Sequence, residues 1–152
     1  MSDGGASPVR AATLTRAATL HLVVGWVTVV AFLATGLFMR LGYPGVATPD
    51  LAHRVFFRTH HLYLLAAGLV NLLAGSARCT ARPAAPLPRL ALAASTLLLV
   101  APPLLLLGFA TEHVTPALRG EATSFGWYTL AAGALLHLLA WRAPSMSPHT
   151  VD

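Results

Sequence analysis

The sequence has no lysine, a single cysteine and only five acidic residues among 152. Formal charges make up 10% of it, against about 25% in an average soluble domain. Each scarcity excludes something. With Cys79 alone there is no intrachain disulfide and no C-x-x-C metal or redox pair. With so few acids there is no paired-carboxylate motif, and no G-x-S-x-G, H-E-x-x-H or Walker loop occurs either. No enzyme class is therefore indicated. The ten arginines are scattered between apolar blocks, without a basic stripe or aromatic-interleaved patch, so nucleic acid is not an expected partner.

Apolar residues are what the chain has in quantity, 56% of the total. They fall in four stretches free of formal charge: residues 17–39, 59–77, 90–111 and 122–141. Each has roughly the 20 residues that cross a hydrocarbon core of about 30 Å. The runs are continuous, not alternating, which argues against barrel strands. The expected fold is an all-α integral membrane bundle of four transmembrane helices over residues 14–142, with its surface against the lipid bilayer. Residues 1–13 and 143–152 are expected as disordered polar tails. The first span is too long for a signal-peptide core and reads as a retained anchor.

Arginine counting orients the spans. Six arginines (Arg10, Arg16, Arg78, Arg82, Arg89, Arg142) fall on the side of the two termini, and four (Arg40, Arg54, Arg58, Arg119) on the other. By the positive-inside rule both termini are expected in the cytoplasm. Between the first two spans, Pro49 and Asp50 mark a helix start. Leu51, Val55 and Phe56 beside His53, Arg54 and Arg58 suit a short amphipathic helix at the interface. Pro102 and Pro103 lie inside the third span and should kink or open it, exposing carbonyls that need another partner.

In lipid, small and polar residues mark the inward faces. The first span carries His21, Gly25, Thr28, Thr35 and Gly36 on one side. The second carries His61, Gly68, Asn71 and Gly75, and the fourth Gly126, Gly133 and His137. The third has no comparable stripe and is expected at the periphery.

Seven histidines in so apolar a chain are the groups with chemistry to offer. His149 lies in the tail and His53 at the interface. His21 and His137 stand at matched depth, each five residues from an arginine and four from a glycine. Two such imidazoles can hold a haem b between helices, and can equally donate to neighbouring carbonyls or hydroxyls across the bundle. At the opposite end His61, His113 and Glu112 offer nitrogen and oxygen ligands for a metal ion. Adjacent residues project about 100° apart, so at most one of His60 and His61 joins Glu112 or His113. An ion pair such as Arg58 with Glu112 is the ordinary alternative.

The segment Arg58-Thr59-His60-His61-Leu62-Tyr63, running on through Gly68, Asn71, Leu72 and Gly75, resembles the second helix of a small uncharacterised family of four-span bacterial inner-membrane proteins. That family reads roughly R-x-x-H-[IL]-Y-x-L-x-x-G-L-x-N-L-x-x-G. Thr35-Gly36-Leu37-Phe38-Met39-Arg40, with Leu41 and Tyr43-Pro44, resembles the end of its first helix. The resemblance implies a bacterial inner membrane and favours His61 over His60; it implies no activity. The expectation is a polytopic membrane protein acting as an accessory or structural subunit, through contacts with a second copy or a membrane-complex partner. The alternative is a small b-type cytochrome or metal-binding electron carrier. A proton- or solute-conducting oligomer lined by His61 and Asn71 ranks third.

Overall fold

The computed structural model describes residues 8–41, 51–80, 88–112 and 120–142, all in or at the ends of four α-helices, with no strand among them. These are α1 (Pro8–Leu41), α2 (Leu51–Thr80), α3 (Pro88–Thr111) and α4 (Glu121–Arg142). Residues 1–7, 42–50, 81–87, 113–119 and 143–152 lie outside this description.

Two boundaries differ from expectation. α1 begins at Pro8, inside the stretch expected as a disordered tail; proline at a first helical position forfeits no hydrogen bond, because that N–H has no intrahelical acceptor. The interfacial helix expected over residues 51–58 is not separate, since α2 runs unbroken from Leu51 to Thr80. Among the described residues, two helical stretches are long and apolar enough to cross a membrane, Arg16–Leu41 within α1 and Arg89–Thr111 within α3. The described residues of α2 and α4, also expected as spans, do not reach that measure; His60, His61 and Asn71 lower the hydropathy of α2, and Trp127, Tyr128 and His137 that of α4.

The helices pair as two antiparallel hairpins, α1 with α2 and α3 with α4, and glycines set how closely each pair approaches. A Cβ on Gly25 would meet Leu72 at 2.8 Å, and one on Gly75 would meet Leu22 at 2.8 Å. Between α3 and α4, Gly126 receives Leu105 and Gly133 receives Leu98 at 2.9 and 3.0 Å. The glycine stripes read from the sequence thus lie in the helix contacts.

The hairpins join along α2 and α3, through Leu64, Ala67, Ala74, Leu98, Ala101 and Leu105, all buried. α3 is therefore central, not peripheral as expected. Its inward face is built of alanine and leucine, with Ala94, Leu98 and Ala101 fully buried. Despite two internal prolines it remains helical from Pro88 to Thr111. α1 lies on the outside, and large apolar side chains cover its free face: Leu20, Val23, Val27, Val30, Leu33 and Leu37 are each more than half exposed.

Candidate functional site

Among the described residues, polar side chains gather inside the protein at three places. The innermost is built from His21 on α1, Asn71 on α2 and Ser95 on α3, all buried. Asn71 Nδ2 donates to the carbonyls of Ala67, at 3.0 Å, and Leu98, at 2.9 Å. The Leu98 carbonyl is open because its helical donor would be the N–H of Pro102, which has none. The carbonyl that the sequence showed in need of a partner has found one on the neighbouring helix.

The orientation of the Asn71 amide fixes the rest by elimination. With both N–H bonds spent on carbonyls, its Oδ1 can only accept, so His21 Nδ1, 2.8 Å away, carries the proton. In the neutral ring His21 Nε2 then accepts from the Ser95 hydroxyl at 2.7 Å. The chain of bonds leaves α3 at Ser95, passes through α1 and α2, and returns to α3 one turn later at Leu98.

Ser95, His21 and Asn71 stand in the order of a nucleophile, a base and its orienting group, but two requirements of that chemistry are missing. All three are sealed in the interior, and the Asn71 N–H groups that would meet an oxyanion are already bonded to carbonyls. The arrangement clamps three helices together. It also fails to fit the haem expectation for His21, because a haem ligand needs a ring nitrogen lone pair and His21 commits both nitrogens within the protein. His137, its expected partner, instead lines a separate apolar cleft of about 320 Å³ between α2 and α4, beside Ala77, Leu138 and Trp141.

The second place contains His61. Its ring stacks on Phe32 of α1 with centroids 3.9 Å apart, its Nδ1 lies 3.1 Å from Thr35 Oγ1, and it fills the space above Gly36. His61 therefore binds α2 to α1.

The third place is centred on Glu112, immediately after α3, and it is His60 rather than His61 that meets this carboxylate, with Nε2 3.4 Å from Oε2. Glu112 is otherwise engaged with the start of α4. Its Oε1 accepts from the amides of Ala122 and Thr123, at 2.7 and 3.2 Å, and its Oε2 from the Thr123 hydroxyl at 2.5 Å. A helix starts with unsatisfied N–H groups, and Gly120, which precedes α4, has no side chain to cap them. Glu112 supplies the missing cap from the preceding helix, in the space that the bare Gly120 leaves. Burial pushes its carboxyl up, but the hydrogen bonds from the Thr123 hydroxyl and amide, His60 and the Ala122 amide outweigh that and hold it below the ordinary carboxylate value.

Glu112 and His61 thus serve different helix contacts. His113 lies outside the described residues, and no group of three metal-binding side chains occurs among those described. The expected partner Arg58 is replaced by His60, the backbone amides and Thr123. Sequence reasoning missed Ser95 and Thr123, and it favoured His61 where His60 meets the carboxylate. A usable signal existed only for the Leu98 carbonyl, four residues before Pro102.

Compared with protein-family models, curated proteins and solved structures, the chain finds no match.

Proposed function

We propose that all four helices cross a bacterial inner membrane, with both termini in the cytoplasm, and that the protein is a non-enzymatic accessory or structural subunit of that membrane. One observation carries this reading: large apolar side chains face outward while polar ones face inward. The exposed apolar surface continues from α1 onto Leu62, Leu69 and Leu73 of α2 and onto Phe125, Leu135, Leu138 and Leu139 of α4. Inside lie His21, Thr28, Thr35, His60, Asn71 and Ser95. Water disfavours contiguous apolar surface on this scale, whereas lipid accepts it and leaves hydrogen bonds and close packing to hold helices together.

The membrane of origin and the sidedness rest on the resemblance of the Arg58–Gly75 segment and on the six-to-four arginine distribution. The non-enzymatic reading rests on the enclosed, bonded state of the His21 network.

Cys79, the only thiol, makes topology testable. In intact cells with the outer membrane permeabilised, a membrane-impermeant maleimide should leave Cys79 unlabelled. Labelling there would reverse the orientation. In a Cys79→Ser background, Arg58→Cys, near the start of α2, should be labelled from outside, which with an unlabelled Cys79 would place the two ends of α2 on opposite faces. Arg119→Cys should likewise be labelled from outside and Arg142→Cys only from inside. Equal accessibility at both ends of α2 or of α4 would reduce the number of spans. Release of the protein by alkaline carbonate would overturn the membrane reading altogether.

A further inference from the structure

Gly126 and Gly133 seat α4 closely on α3, and α4 meets α2 only lightly. Where α4 faces α2 the walls are small: Ala74 and Ala77 on one side, Ala134 on the other, with the buried Leu98 of α3 as the floor. Alanines let helices close up where backbones approach. Here the backbones stay apart, and the space left between them is the cleft of about 320 Å³. It runs from Val70 to Ala77 along α2, about 10 Å by helical rise. Leu73, Leu138 and Trp141, each more than half exposed, form its rim, so it opens sideways onto the apolar surface.

The charge around this cleft is one-sided. It reaches the end of the bundle where α2 and α4 stop, and there Arg78 follows Ala77 and Arg142 follows Trp141 in the chain. α3 begins at the same end with the exposed Arg89. Among the described residues no aspartate or glutamate lies there, since Glu112 and Glu121 are at the opposite end. The C-termini of α2 and α4 bring about half a negative charge each, less than the full positive charge of either arginine. Within the cleft only His137 and Trp141 have a polar side-chain atom. Apolar walls below a cationic mouth match an amphiphile with a hydrocarbon tail and an anionic head.

We infer that the α2–α4 cleft binds one acyl chain of an anionic phospholipid whose headgroup sits at the level of Arg78 and Arg142. The inference rests on the four-span membrane reading proposed above. Walls that face a void lose their dispersion contacts, and a hydrocarbon chain laid between Leu98 and the rim restores them. The headgroup decides which lipid is held. In phosphatidylcholine the ammonium cancels the phosphate charge, whereas phosphatidylglycerol keeps it, and arginines at a membrane surface favour the lipid that does.

A second copy of the chain is the competing occupant, and the same charges argue against it. Two copies inserted in one orientation carry their arginines at one depth. A two-fold contact through the cleft would therefore set Arg78 and Arg142 of one copy beside those of the other, with no carboxylate among the described residues of that end to separate them. A lipid brings the missing negative charge with it.

Trp141 lines the cleft and the exposed Trp26 of α1 does not, so two single-tryptophan proteins separate the site from the general bilayer. One carries Trp26→Phe and Trp127→Phe, the other Trp127→Phe and Trp141→Phe. In phosphatidylcholine nanodiscs each is titrated with phosphatidylglycerol or phosphatidylcholine bearing brominated chains, whose bromines quench indole on contact. An arginine near the membrane surface is worth about fivefold for an anionic lipid, so the association constant at Trp141 should be at least about fivefold higher for phosphatidylglycerol. Trp26 should show a smaller preference. Arg78→Gln with Arg142→Gln should remove the preference at Trp141, and Ala134→Leu or Ala77→Leu, which narrow the cleft, should weaken quenching there by both lipids. An equal preference at the two tryptophans would overturn the site and leave the membrane reading standing, as would a Trp141 preference that survives loss of both arginines or is untouched by either leucine. Quenching of Trp26 but not of Trp141 would assign the cleft to a protein neighbour and overturn the lipid. Quenching of neither would remove the membrane reading itself.

Discussion

Asn71 on α2 donates to the carbonyl of Leu98 on α3, the carbonyl that Pro102 leaves open by lacking an N–H. A backbone gap on one helix is thereby closed by a side chain of another, and the same amide orients His21 through its oxygen. Pro102 and Asn71 should be coupled in stability although the coupling runs through a third residue. Asn71→Leu should cost about 1–3 kcal/mol, because it strands the Leu98 carbonyl and the His21 N–H together. In a Pro102→Ala background the helix supplies its own donor to Leu98. The Asn71→Leu penalty should then shrink by about 0.6–1.7 kcal/mol, the range of interhelical hydrogen bonds in membranes. A double-mutant cycle by steric trapping or detergent unfolding measures it, and strict additivity would refute the pairing.

The features legible in the sequence were those that a single helix carries by itself. Gly25, Thr28 and Thr35 repeat at helical spacing, so the inward face of α1 can be read without knowing what it meets. The position of α3 could not be read that way. Its contribution to the interior is alanine, leucine and a missing N–H, and a missing donor has no side chain to mark it. The choice between His60 and His61 was hidden for a related reason: neighbours 100° apart face different helices, and only the packing says which helix lies where. The Glu112 cap escaped because it acts across the α3–α4 connection, while Gly120 itself has no capping oxygen to offer.

His21 should be more costly to remove than either of its partners' single bonds suggests. His21→Ala empties a fully buried site and leaves Asn71 Oδ1 and Ser95 Oγ without the ring that joined them. The expected loss is about 2–4 kcal/mol, against about 1 kcal/mol for Ser95→Ala, which removes one hydrogen bond. Protein purified from haem-replete cells should show no Soret band. A band that vanishes in His21→Ala would mean that the ring binds iron instead of its two protein partners.

Gly120 tests the cap without touching a polar group. No described glycine has a positive φ, so an alanine at Gly120 is not refused by the backbone. Its Cβ would instead occupy the space of the Glu112 carboxylate. Gly120→Ala should therefore displace that carboxylate and cost about 0.5–2 kcal/mol, the value of an N-cap. In a Glu112→Ala background the same substitution should cost less, since the carboxylate is gone and only the N-cap preference for glycine over alanine remains. A similar cost in both backgrounds would show that Gly120 is needed for some reason other than Glu112.

Acid should undo the cap, with a sign fixed by the direction of the Glu112 shift. Its carboxyl is held below the ordinary value in the folded chain, so the unfolded chain binds that proton more readily. The stabilisation is complete above the unfolded value, about 4.3 for glutamate, and is lost as pH falls through the folded one. Unfolding midpoints should be flat on this account near neutral pH and decline in the acid range below about 4. Glu112→Gln keeps the size of the side chain but gives up its charge at the start of α4, where negative charge is favoured. It should lower the midpoint at neutral pH and flatten the acid decline, bringing the two curves together at low pH. Curves that stay parallel down to about pH 3 would place the acid-sensitive group elsewhere and leave Glu112 as a packing residue.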